Sequence, residues 1–176
     1  MYIKKLLSLA LAALMLVCLF VSCQGSLPKE MPEDFSFSIR WGVFGESSYD
    51  SSTGKLVKAR MSTEPEKYIT TYFLSDEEKQ AVYDIIKEMK FEKFNKFGKF
   101  DFVFSDPHFR LSLTVKTADM DKTVVAENVA YKPSDLSSSA NSLRGKRYLK
   151  GIEKITDILV STEEWKALPD YEFQYD

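Results

Sequence analysis

Two cysteines and one histidine in 176 residues leave this chain almost nothing for thiol, imidazole or zinc chemistry. There is no pair of histidines to hold a catalytic metal and no Cys–His spacing of a zinc module. A Gly-x-Ser-x-Gly nucleophile turn and a glycine-rich phosphate loop are both missing; Gly45-Glu46-Ser47-Ser48 does not have the required spacing. Glycine and proline, seven and six, are too few for a collagenous or low-complexity chain. An excess of positive charge is also absent. With 24 Lys plus Arg against 26 Asp plus Glu the formal charge is −2, which argues against a protein that coats nucleic acid. What is present is ordinary for one globular unit: 44% apolar and 28% charged residues.

The first 22 residues differ from the rest. Met1-Tyr2-Ile3-Lys4-Lys5 is followed by an apolar run from Leu6 to Val21, interrupted only by Ser8 and Cys18. A short positive stretch before about 16 apolar residues reads as a secretory leader, and the run is short for a bilayer span. Its end, Phe20-Val21-Ser22-Cys23, resembles the lipobox of bacterial lipoproteins, with Phe20 in place of the usual leucine. That resemblance implies cleavage before Cys23 and a diacylglycerol (palmitate or similar chains) on its sulfur. Two buried chains hold a protein at a bilayer surface where one does not. Cys18 would leave with the leader, so the folded part is expected to contain no disulfide and no nucleophilic thiol.

Residues 23–34, with Pro28, Pro32 and scattered charges, read as a flexible tether of about 20 Å mean span. A single domain is expected over residues 35–176. Phe35, Phe37, Ile39, Trp41 and Val43 alternate with Ser36, Ser38, Arg40 and Gly42, the signature of a half-buried strand. Tyr49 to Lys55 reads as a turn closed by Gly54, with further strands over 56–61 and 68–74. Ser75 and Glu78 have capping-box spacing, and Val82, Ile85, Ile86 and Met89 fall on one face of the following helix. That helix is expected to end near Lys90, because a continued helix would carry the large apolar Phe91 to the side opposite Val82. Phe109 to Lys116 alternates as a strand, turned by Asp119–Lys122 into a partner from Thr123 to Tyr131. A second helix is expected from about 142 to 160, then a short capped helix before Pro169 and a last strand through Tyr171, Phe173 and Tyr175. The order predicts an α+β fold: an antiparallel sheet of about five strands with two main helices on one face.

Candidate sites are few. His108 is the one available general base, with Asp101 and Asp106 nearby to orient it, and defines the rival reading of an envelope hydrolase. Asp119-x-Asp121 lacks the glycine and distal glutamate of a calcium loop and reads as a hairpin turn. The unusual segment is Lys90-Phe91-Glu92-Lys93-Phe94-Asn95-Lys96-Phe97-Gly98-Lys99-Phe100. Here Lys90, Lys93, Lys96 and Lys99, with Phe94 and Phe97, form a candidate contact for an anionic surface. The competing reading lays the Phe rings into the core and the Lys stems over the surface. No catalytic residue, metal ligand or cofactor site is assigned.

Phe35-Ser36-Phe37-Ser38-Ile39-Arg40-Trp41-Gly42, the Tyr49–Lys55 turn and Ser161 to Phe173 together resemble the small lipoproteins of Gram-positive anaerobes. The resemblance implies a location, the outer face of the cytoplasmic membrane in the cell envelope, and supplies no activity. The expectation is a lipid-anchored, non-catalytic binding or interaction module for an envelope protein or anionic polymer, with no role in nucleic-acid binding. Its expected surface is the sheet face or edge near Trp41, Arg40 and the aromatic tail, receiving a protein or peptide by strand addition, and a purely structural lipoprotein is the other alternative.

Overall fold

The computed structural model describes residues 27–94, 107–130, 137 and 140–171. The chain forms a six-stranded sheet from β1 (Ser36–Trp41), β2 (Ser47–Asp50), β3 (Lys55–Val57), β4 (Ile69–Thr71), β5 (His108–Thr117) and β6 (Met120–Ala130). The spatial order is β4-β3-β2-β1-β5-β6, and every neighbouring pair is antiparallel. Helices α1 (Asp76–Glu88) and α2 (Leu143–Val160) cover one face, and α3 (Glu163–Lys166) follows as a single turn. The α+β expectation therefore holds, with six strands instead of about five. No helix among the described residues is long and apolar enough to cross a membrane.

Strand alternation builds the core. Phe37 and Ile39 on β1, Tyr49 on β2, Leu56 on β3, Leu111, Leu113 and Val115 on β5, and Val124 and Ala126 on β6 are all buried toward the helices. They meet Val82, Tyr83 and Ile86 of α1 and Tyr148, Leu149, Ile152, Ile155 and Leu159 of α2. Each such aliphatic or aromatic side chain contributes about 1.5–3 kcal/mol of transfer free energy. This core stabilises the fold without a disulfide among the described residues.

Local chemistry sets the element ends. Ser75 caps α1 by accepting from the Glu78 N–H, while the Glu78 carboxylate accepts from the Ser75 N–H at 2.8 Å and the Tyr72 hydroxyl at 2.6 Å. Burial pushes the Glu78 carboxyl up, but these hydrogen bonds win and leave it below the usual carboxylate range. α2 starts on Ser142 and α3 on Thr162, whose hydroxyls accept from the Gly145 and Trp165 N–H groups.

Several boundaries differ from the sequence reading. Tyr49 and Asp50 belong to β2, because Asp50 turns the chain only after itself, accepting from the Ser52 N–H at 2.9 Å. Gly54, at φ +68°, closes that turn against the Tyr72 carbonyl. α1 ends just before Lys90, as expected. Lys90 adopts a left-handed conformation (φ +56°) just past α1, and the reversal carries Phe91 into full burial. The expected last strand at 171–175 lies outside the described residues except for Tyr171, whose ring meets Tyr68 edge-on at 5.4 Å.

The segment read as a tether is held over its described part. Leu27 and Met31 pack against the core, and the Tyr83 hydroxyl donates to the Pro28 carbonyl at 2.8 Å, with the Glu30 carbonyl at 3.2 Å. Lys87 Nζ donates to the Lys29 carbonyl. A buried tyrosine needs a partner for its hydroxyl, and here the preceding backbone supplies it.

Candidate functional site

Among the described residues no α-helix covers the face of the sheet opposite α1 and α2. Its side chains are those that alternate with the core: Ser38 and Arg40 on β1, Ser48 and Asp50 on β2, Ser112 and Thr114 on β5, Thr123 and Val125 on β6. Register aligns them into two rows. One runs Ser48–Arg40–Ser112–Val125 and the next Asp50–Ser38–Thr114–Thr123. Hydroxyls dominate, and Thr114 and Thr123 share a hydrogen bond of 2.8 Å across β5 and β6. Above these rows lies a hollow of about 710 Å³, bounded at its far side by Pro65 and Ile69.

Charge makes this hollow distinct. Arg40, Arg60, Arg110 and Lys55 line it against a single acid, Asp50, in a chain whose formal charge is −2. Arg40 projects from the middle of β1. Arg60 follows β3, placed by its N–H bond to the Glu46 carbonyl at 3.2 Å. Arg110 enters at the irregularity in β5, where its N–H reaches the Gly42 carbonyl at 3.2 Å. The Arg40 guanidinium is held below its ordinary pKa by burial first, and then by the like charges of Arg60 and Arg110. Arg110 has one exposed ion pair, to Glu127 at 3.2 Å, worth about 0–1 kcal/mol. Arg40 and Arg60 have no acidic partner among the described residues. Three guanidiniums that repel one another over a row of hydroxyls form an anion-receiving surface: each fork can grip a carboxylate or phosphate through two hydrogen bonds.

Glu46, beside this region in the β1–β2 turn, is the other electrostatic exception. Its side chain folds back over Gly42, and its Oε2 is buried without a hydrogen-bond partner among the described residues. Burial alone pushes its carboxyl up to about 7. The turn that holds it needs three left-handed residues, Gly42, Phe44 and Gly45.

The residues singled out from sequence are dispersed. Arg40 and Trp41 occupy opposite faces: Arg40 lines the hollow, whereas Trp41 turns to the helical side and meets Trp165 at 5.4 Å. His108 begins β5, its ring edge-on to Phe44 at 5.0 Å and its carbonyl accepting from the Phe44 N–H. Asp101 and Asp106 lie outside the described residues. Among the Lys–Phe candidates, Lys90 and Lys93 are exposed beyond the end of α1. Phe94 is a correction: only 3% exposed, it packs edge-on to Tyr148 at 5.4 Å and is not available to a surface. Lys96, Phe97 and Lys99 lie outside the described residues, as does Cys23. Asp121 of the expected hairpin turn faces Lys116 at 3.5 Å. Among the described residues no group of three or more His, Cys, Asp or Glu side chains is placed to hold a metal.

Sequence reasoning missed Arg60 and Glu46 and treated Arg110 only as the polar half of an alternation. That alternation does put Arg40 and Arg110 on the outward face. Their convergence depends on strand order, which no local pattern encodes. No family model matches the chain, and no curated protein matches it.

Proposed function

We propose that this chain is an exported lipoprotein, anchored through a diacylglyceryl Cys23 at the outer face of the cytoplasmic membrane. Its arginine-lined sheet face acts as a non-catalytic binding surface for an anionic ligand of the envelope. The observation that carries the binding role is the convergence of Arg40, Arg60 and Arg110 over the hydroxyl rows, two of the three without an ion pair among the described residues. An incoming carboxylate or phosphate relieves their mutual repulsion and forms charge-assisted bonds, each about twice as strong as a neutral one. The rows of Ser and Thr then offer donors and acceptors to an extended chain crossing the strands.

The test is titration of the protein with two anionic polymers, poly-L-glutamate and a glycerol-phosphate polymer, over a range of salt. Wild-type protein is expected to bind at least one of them with an affinity that falls as salt rises. The Arg40→Ser/Arg60→Ser/Arg110→Ser variant is expected to lose about tenfold or more. Equal affinities for the variant and the wild type, with a melting temperature unchanged, would overturn the reading. Which polymer responds separates a carboxylate ligand from a phosphate one.

A further inference from the structure

The helical layer carries a second cationic surface, and the chain enters across α1, one of the two helices that form it. A groove of about 200 Å³ runs between the end of α1 and the first half of α2, floored by Ile85, Met89 and Gly151. Its rim holds Lys90, Arg147, Lys150 and Lys154 against one acid, Glu88, which is itself paired to Lys154 at 2.8 Å. The acids of α1 lie chiefly toward its other end, at Asp76, Glu77 and Glu78. The docked segment Leu27–Glu30 is fixed to Tyr83, in the middle of α1, and to Lys87, in its last turn before Lys90, on the flank of α1 away from α2. From Cys23 to Leu27 there are four peptide steps, which cover at most about 15 Å.

From this placement we infer that the basic end of the helical layer lies against anionic lipid head groups, so that the arginine-lined sheet face is turned away from the bilayer. The inference rests on the anchoring of Cys23 proposed above. Given that anchor, the short reach holds α1, and with its last turn the basic end of the helical layer, close to the surface. The cations there match a bilayer with negative head groups, each Lys or Arg near such a surface contributing about fivefold to the contact. The two positive surfaces thereby take different partners, the groove a lipid surface and the hollow a ligand from the other side.

The test uses the full lipidated chain reconstituted in vesicles of phosphatidylglycerol, or of phosphatidylcholine alone. A spin label is placed either on the helical side (Lys146→Cys) or in the hollow (Ser112→Cys). The expected result is a helical label shielded from a water-soluble relaxant on phosphatidylglycerol and exposed on phosphatidylcholine, with the hollow label exposed on both. In a Lys90→Gln/Arg147→Gln/Lys150→Gln background the helical label is expected to become exposed, because the contact weakens by about a hundredfold. A shielded hollow label, or a helical label indifferent to lipid charge or to the three substitutions, overturns the orientation. Mass spectrometry of Cys23 in the same sample separates the two failures. A bare sulfur removes the anchoring reading and the orientation with it, whereas a diacylated sulfur with the wrong shielding pattern removes the orientation alone.

Discussion

Glu46 shows how one carboxyl can set the pH response of this domain. Its folded pKa, pushed up to about 7, stands above the value near 4.5 of an ordinary glutamate. The native state therefore holds more protons than the unfolded chain between those values, and stability falls as pH rises from about 4.5 to 7. Above pH 7 the full cost of the desolvated charge is present. Glu46→Gln is expected to remove this slope and to stabilise the protein at pH 8 by about 1–2 kcal/mol, after discounting for the solvent that reaches the half-buried site. Urea midpoints at pH 5 and pH 8 check it: the wild type should be weaker at pH 8, and the variant nearly indifferent. Glu78 responds in the opposite sense. Its depressed pKa contributes stability that is lost only as pH falls through the acid range below 4.5. None of this was legible in Gly42-Val43-Phe44-Gly45-Glu46, because the burial of the carboxylate comes from a fold-back that depends on three left-handed backbone positions, one of them non-glycine.

At the scale of elements, the helix pair depends on a close approach. Met89, just past α1, lies over Gly151 of α2, and a Cβ there would stand 2.2 Å from the Met89 sulfur. Gly151→Ala improves helix propensity by up to about 1 kcal/mol but displaces Met89, at an overpacking cost of about 1–3 kcal/mol. The expected outcome is a lower thermal midpoint for the single variant. Adding Met89→Ala should restore part of the loss, a coupling that a double-mutant cycle measures. Elements of this kind were the most legible part of the sequence. The Ser75–Glu78 capping box, the apolar faces of both helices and the alternation from Phe109 to Lys116 all appear where residue periodicity puts them. The helix end near Lys90 was legible because Phe91 does not fit the apolar face of a continued helix. The boundary at Asp50 was not, because it is set by one side-chain turn that leaves the hydrophobic period unchanged. At Phe94 the core reading of the Lys–Phe segment prevails over the surface one, because the reversal at Lys90 feeds the ring to Tyr148.

At the scale of the molecule, the sheet separates a helical side from a hydroxyl-rich side, and each bears its own cluster of cations. A chain of formal charge −2 that collects positive charge in two places must leave the remainder of its surface acidic. Such a surface resists non-specific attachment to anionic material while its two clusters remain competent for it. The proposed address is checked by processing. Cys23→Ser is expected to leave the leader attached and to abolish incorporation of labelled fatty acid in a bacterial host, whereas an unchanged size and label would remove the lipoprotein reading. The strand order, which brings Arg40 between β2 and β5 and sets Arg60 and Arg110 around it, was beyond the reach of the sequence, since pairing partners more than sixty residues apart leave no mark in a local pattern.

The hydroxyl of Tyr83 and the ammonium of Lys87 grip the backbone just ahead of the domain. Any pull arriving along that backbone is therefore passed straight into a helix that is itself packed on the sheet. A load on the N-terminal side would be felt first by two side-chain bonds and the pocket around Leu27, and only afterwards by the strands. The domain should respond to drag as a rudder on a stiff post does, keeping its heading, and its first mechanical failure should be the peeling of residues 27–34 with the six strands still intact.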